Sequence, residues 1–205
     1  GKCDPQGRFW AGTMYEPRDQ ALGQLFSCEH RAGGYFSVKL LAGGSTVSNG
    51  LAWSPDARTM YWADTLSHRI RAWDWDAATN TLTGERTFAQ FPLKPSGWVY
   101  GQSAEAYGGR PDGAAVDAEG NYWVAMYEGG RILKLAPTGE QLAELRTPVL
   151  CPTMPCFGGD DLKTLYFTSA SRGRSEAELA AYPQSGCVFF TRVDVPGLPV
   201  NGFQD

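Results

Sequence analysis

An all-β, six-bladed β-propeller, of which about four blades lie in this chain, is the architecture that three observations predict. A short pattern recurs along the 205 residues, convincing helical periodicity is nearly absent, and 25 glycines and 13 prolines punctuate short apolar runs. Repeats of roughly 40–50 residues built from short strands and tight turns are the signature of propeller blades. The clearest copies are Asn49-Gly50-Leu51-Ala52-Trp53-Ser54-Pro55-Asp56 and Asp112-Gly113-Ala114-Ala115-Val116-Asp117-Ala118-Glu119-Gly120. Each opens on a short oxygen-bearing side chain and a glycine, passes through an apolar strand and a turn, and enters an aromatic strand: Thr59–Trp62 in one and Asn121–Val124 in the other. Gly1–Trp10 reads as a further copy without its first residue, and Thr153–Asp160, leading into Thr164–Phe167, as the fourth.

Within each repeat the order is strand, turn, strand, loop, strand, turn, strand. Ile70–Asp76 alternates with period two, turns at Asp76–Asn80 and returns through Thr81–Thr83 towards Arg86–Phe88. Arg131–Ala136, the turn Pro137–Glu140 and Gln141–Leu145 repeat that plan. Gly186–Val193 is expected to supply the outer strands of the last unit, and Arg174–Ala181 has the best of the few helical periods. Tyr15–Gly34 contains a looser stretch. Because the first repeat opens in mid-pattern and an open blade exposes unpaired strand edges, a single domain (1–205) lacking one or two N-terminal blades is expected.

Composition narrows the partners. A formal net charge of -4 with no basic run argues against nucleic acid, which needs clustered Lys and Arg. No apolar run approaches the roughly 20 residues of a membrane span. The five cysteines, Cys3, Cys28, Cys151, Cys156 and Cys187, lack disulfide or zinc spacing, and they read as buried reduced thiols of a cytoplasmic protein. Most of the seven tryptophans are expected in the core. His30 and His68 are the only histidines and stand outside any zinc pattern, and there is neither a nucleophile elbow nor a phosphate loop.

Two residues stand out chemically. Asp112, between Pro111 and Gly113, and Asn49 occupy matching positions at the entry to inner strands. Alone, each is equally a turn-capping residue. Together they converge on one channel, where a carboxylate and an amide oxygen suit a hard divalent cation. Asp64 reads either as a residue lining the channel mouth or, by the stronger reading, as a hydrogen-bonding clamp on a blade turn, and Gly129-Gly130 and Gly158-Gly159 read as structural. The aromatic, glycine-rich segment from Pro92 to Arg110 leads into Asp112 and reads either as a substrate wall or as a plain surface loop.

The chain resembles the gluconolactonase, regucalcin (senescence marker protein) and luciferin-regenerating enzyme family. The matching text is Asp4–Met14, Ser48–Ser54, Tyr61–Thr65, Arg110–Ala125, Gly129–Ile132 and Cys156–Gly159. The resemblance implies a six-bladed propeller with one divalent ion (calcium, zinc, manganese or magnesium) held by Asn49, Asp112 and a Glu upstream of Gly1. It implies hydrolysis of a sugar lactone, D-glucono-1,5-lactone or a pentonolactone, with Asp112 as the base. It also brings Glu16 near the substrate, although the local match breaks at Tyr15 and Pro17. With part of the shell upstream, the fragment alone is expected to bind metal weakly and to be inactive. The competing readings are a phosphotriesterase-like hydrolase on the same fold, a calcium- or ligand-binding propeller without turnover, and a scaffold for protein partners.

Overall fold

The computed structural model describes residues 1–102 and 107–204. Its strands fall into four antiparallel sheets, each built from consecutive strands in chain order. The first holds β1 (Lys2–Cys3), β2 (Phe9–Gly12), β3 (Gly23–Arg31) and β4 (Tyr35–Ser45). The second holds β5 (Ser48–Trp53), β6 (Thr59–Asp64), β7 (Arg69–Asp76) and β8 (Thr81–Gln90). The third holds β9 (Arg110–Val116), β10 (Tyr122–Tyr127), β11 (Arg131–Leu135) and β12 (Gln141–Arg146). The fourth has three strands, β13 (Pro152–Gly158), β14 (Thr164–Ser169) and β15 (Phe189–Arg192), with the six-residue helix α1 (Glu176–Ala181) between the last two. These are four propeller blades, with β1, β5, β9 and β13 as the inner strands.

One expectation is sharpened and one needs correction. The looser stretch within Tyr15–Gly34 occupies its first part, residues 15–22, and is followed by β3, a nine-residue strand paired with both β2 and β4. Its residues Leu25 and Ser27 point inward, but polar neighbours mask the alternation. The C-terminal segment gives the last blade one strand, β15, rather than outer strands in the plural.

The core is three interblade layers rather than one centre. Trp10, Leu25, Trp53, Met60 and Trp62 pack between the first two blades. Tyr61, Ile70, Tyr122, Val124 and Met126 pack between the second and third. Trp123, Ile132, Phe157, Leu165 and Phe167 pack between the third and fourth. Period-two geometry produces this: along β6, Met60 and Trp62 face one layer while Tyr61 and Ala63 face the other. Six of the seven tryptophans are buried, and Trp98 is the exception. The outer strand of the first blade leaves Tyr35, Phe36, Val38 and Leu40 exposed. All five cysteines are free thiols, but only Cys151 is buried, and Cys156 and Cys187 are exposed.

The turns at one end of the inner hairpins share a device that stabilises the repeat. Asp117 accepts hydrogen bonds from the backbone N–H groups of Glu119 (3.0 Å) and Asn121 (2.9 Å) and from the Trp123 indole (2.9 Å). Asp4 does the same with Gln6 (2.8 Å), Arg8 (2.9 Å) and the Trp10 indole (2.8 Å). Both carboxylates are fully buried, and their donors offset the desolvation cost.

Candidate functional site

At the opposite end of the inner strands, β5 and β9 run side by side and carry Asn49 and Asp112 near their starts. The glycine after each makes this approach possible. A Cβ on Gly50, whose φ is +53°, would strike the Tyr122 hydroxyl and lie 3.0 Å from the Asp112 carbonyl oxygen. A Cβ on Gly113 would lie 2.7 Å from the Thr153 carbonyl oxygen on β13. The Tyr122 hydroxyl donates to the Gly50 carbonyl (2.5 Å), tying the second and third blades together beside the site.

Both strands are bulged here. The ladder slips between Asn49 and Ala52 on β5, and between Pro111 and Ala114 on β9. In β9 two residues, Asp112 and Gly113, therefore oppose the single Ala125. A bulge of this kind re-aims a side chain and occurs often beside functional sites. Asn49 precedes its bulge while Asp112 lies within one, a difference that matching sequence positions do not reveal.

The side chains are set by different means. Asn49 Nδ2 donates to Thr65 Oγ1 (2.8 Å), and that hydroxyl donates to the Pro111 carbonyl (2.7 Å). With its nitrogen committed, the amide presents its oxygen as the remaining acceptor. Asp112 has no side-chain donor among the described residues. Burial pushes its carboxyl up to about 7, and the Arg110 charge and the Gly113 N–H pull only partly against that.

Asn49, Gly50 and Gly113 line a cavity of about 110 Å³. Lys2 also lines it and reaches across to donate from Nζ to the Ala114 carbonyl (3.0 Å). Desolvation lowers the Lys2 ammonium to about 8. A larger cavity of about 410 Å³ lies at the other end of the hairpins, between Ser54–Asp56 and Ala118–Gly120.

The remaining sequence candidates separate. Asp64 accepts from the backbone N–H of Thr46 (3.1 Å) and Val47 (3.0 Å) and from the Thr46 hydroxyl, clamping the crossover between the first two blades. Glu16 is an exposed residue of the β2–β3 connection, with an ion pair to Arg18 (3.6 Å), and it lines neither cavity. Residues 103–106 of the Pro92–Arg110 segment lie outside the described residues. The rest of the segment is anchored on Glu128, which accepts from Lys94 Nζ (2.9 Å) and the Tyr107 hydroxyl (2.7 Å).

The residues fit the hard divalent cation that the resemblance implies. Asp112 is a partly buried carboxylate met by the Gly113 N–H but by no side-chain donor among the described residues, so it keeps acceptor capacity that a cation would satisfy, and Asn49 offers a neutral oxygen already oriented by Thr65. Among the described residues no group of three or more His, Cys, Asp or Glu side chains gathers to hold a metal. Sequence reasoning missed Thr65, Lys2 and Arg110 as contributors. A cationic Lys2 in a run of inner-strand positions was the one visible signal.

A family model described as the SMP-30/gluconolactonase/LRE-like region matches residues 1–171. A 6-deoxy-6-sulfogluconolactonase of Pseudomonas putida is 47% identical over 201 residues, covering 96% of this chain and 62% of that protein. Regucalcin of Xenopus laevis is 36% identical, covering 99% of this chain and 64% of that protein. A solved structure of regucalcin from Agrobacterium tumefaciens, described as a calcium-binding protein, superposes with a TM-score of 0.82 at 26% identity over 99% of this chain and 63% of its own. The chain thus spans a little under two thirds of the length of these relatives. Among the described residues no helix is long and apolar enough to cross a membrane.

Proposed function

The chain belongs to the SMP-30/gluconolactonase/LRE-like family, and from that premise we propose that the protein of which it forms part hydrolyses sugar lactones, D-glucono-1,5-lactone or a pentonolactone, at the Asn49–Asp112 end of the channel. The observation that carries the reading is the partly buried Asp112 carboxyl on β9, raised to about 7 by desolvation and lacking side-chain donors among the described residues, with the neighbouring strand β5 carrying the Asn49 amide that Thr65 orients. Perturbed carboxyls in channels are the usual mark of acid–base sites. The 47% identical relative named as a lactonase supports the reaction class.

Asn49 and Asp112 would hold a divalent cation, with the other ligands supplied from elsewhere, and that ion, when bound, would polarise the lactone carbonyl. Asp112 takes a proton from the attacking water as its oxygen bonds to the carbonyl carbon. The ring C–O bond then breaks, and the departing ring oxygen recovers the proton from Asp112, giving the aldonic acid. Thr65 keeps the Asn49 amide from rotating its nitrogen into the site. The described part of the Pro92–Arg110 segment, pinned by Glu128, forms a wall beside the channel mouth. We place the protein in the cytoplasm, in keeping with its free cysteines.

The test is acid release from a panel of sugar lactones by the full-length protein, with and without chelator and added divalent ions. Chelator-sensitive turnover is expected. Absence of turnover on every lactone, with metal still bound, would favour a binding propeller without catalysis, and turnover of organophosphates alone would favour the phosphotriesterase-like alternative.

A further inference from the structure

The cavity of about 410 Å³ at the far end of the inner hairpins is walled by the second and third blades, both of which the chain carries with all four strands. Its volume lies within the range of small-molecule pockets, roughly 300–1,000 Å³. Strand alternation builds the floor. Tyr61 on β6 and Ala72 on β7 are buried there, and the Phe88 ring on β8 packs 4.8 Å from that of Tyr61.

Tyr61 is only 3% exposed, yet its hydroxyl makes no hydrogen bond among the described residues. Tyr122, whose ring lies 5.2 Å away, bonds its own hydroxyl to the Gly50 carbonyl. The charges that bear on the Tyr61 hydroxyl are those of Arg86 and Asp56, which both line the cavity, so the oxygen faces that space rather than the core. A buried hydroxyl without a partner is costly, and a polar atom of a ligand would relieve it.

The sides are apolar and the mouth is acidic. Pro55 and Pro137 flank Gly120, where a Cβ would come within 3.5 and 3.4 Å of their rings, and glycine keeps that gap open. Asp56 Oδ1 accepts from the Ser54 hydroxyl (2.6 Å) and the Arg58 N–H (3.1 Å), while Oδ2 receives no donor among the described residues. Glu119 Oε2 has only Asn121 Nδ2, at 3.4 Å. Neither carboxylate has an ion pair among the described residues. Arg86 is already answered by Asp74 (2.8 Å) and by the Gly84 carbonyl (3.1 Å). Two unmatched carboxylates, apolar sides and an unpartnered hydroxyl at depth complement a cationic head, an apolar body and a polar far end.

We propose that this cavity is a second ligand site, for a small amphipathic organic amine that leaves its ammonium at Asp56 and Glu119 and hydrogen-bonds the Tyr61 hydroxyl with its far end. The site lies at the opposite end of the inner hairpins from Asn49 and Asp112, and it does not rest on the lactone-hydrolase reading.

Tyramine carries all three features and is the probe. The full-length protein is titrated by calorimetry with tyramine, with phenethylamine, which lacks the hydroxyl, and with hydroxyphenylpropionate, which carries a carboxylate in place of the ammonium. Tyramine should bind saturably with a Kd of about 0.1–1 mM, phenethylamine about 5–10-fold more weakly, and hydroxyphenylpropionate not measurably. Tyr61→Phe should reduce tyramine to the affinity of phenethylamine and leave phenethylamine unchanged. Because the hydroxyl has no protein partner, that variant should melt no lower than the wild type. Asp56→Asn combined with Glu119→Gln should weaken both amines by about 5–10-fold. Asp112→Asn should bind tyramine as the wild type does.

No saturable binding of either amine would overturn the inference. So would hydroxyphenylpropionate binding as well as tyramine, because the acidic mouth would then select nothing. Binding unmoved by Tyr61→Phe or by the double carboxylate variant would place the amine elsewhere, and binding abolished by Asp112→Asn would place it in the channel. A Tyr61→Phe protein melting well below the wild type would show that the hydroxyl is satisfied within the fold, which also overturns the site.

Discussion

Asp112, near the start of β9, and Asp117, just past its end, stand five residues apart and live in opposite chemical worlds. Asp117 is fully buried and receives backbone, amide and indole donors, with Lys134 Nζ at 3.5 Å besides. Asp112 is mostly buried and receives no side-chain donor among the described residues, so its carboxyl is held up near 7. The first carboxylate is a structural rivet whose charge is met within the fold. The second has been desolvated with only partial compensation from the Arg110 charge and the Gly113 N–H, an expense that natural proteins incur mainly where a ligand completes the site.

Removing the rivet should cost the most. Asp117→Ala leaves the Glu119 and Asn121 N–H groups and the Trp123 indole without their acceptor and Lys134 without its countercharge. A loss of about 3–5 kcal/mol in urea unfolding is expected. A loss below about 1 kcal/mol would erase the contrast.

Asp112→Asn should do the reverse. Activity of the full-length, metal-loaded protein should fall by at least about 10³-fold. The metal-free protein at pH 8 should gain about 1–2 kcal/mol of stability, because a desolvated charge disappears. A variant both active and no more stable would place the function elsewhere.

Thr65→Val tests the other half of the site. Without the Thr65 hydroxyl the Asn49 amide loses its orientation, and metal affinity should weaken by about 10-fold. Unchanged affinity in metal titration would show that Asn49 is not a ligand.

The pH dependence is the finest test. Asp112 binds its proton more tightly in the folded than in the unfolded state, so its contribution to stability is largest below about pH 4. That contribution should decline as pH rises through the folded value of about 7 and stay level above it. The stability difference between Asp112→Asn and the wild type, measured with chelator present, should therefore grow from pH 5 to pH 8.

Much of this contrast could be read from the sequence only in outline. The shared Asn/Asp-Gly opening marked Asn49 and Asp112 because matching positions in a repeat meet at one axis. Asp64 was legible as a turn clamp, and its three donors from Thr46 and Val47 bear that out. The β3 strand was not legible, because its inward residues are few and set among polar ones. Nor were Thr65 and Arg110, whose partners lie 46 and 18 residues away at Pro111 and Glu128.

The sequence by itself determined the strand-rich repeat, the alternation that feeds two interblade layers from one strand, and the residues that head the inner strands. These follow from local periodicity and turn chemistry, which act over a few residues. Only the tertiary structure decided that Asp117 is satisfied while Asp112 is only partly so, and that Asn49 presents oxygen rather than nitrogen. Desolvation and hydrogen-bond satisfaction depend on what other blades bring within about 3 Å, and no local pattern encodes that.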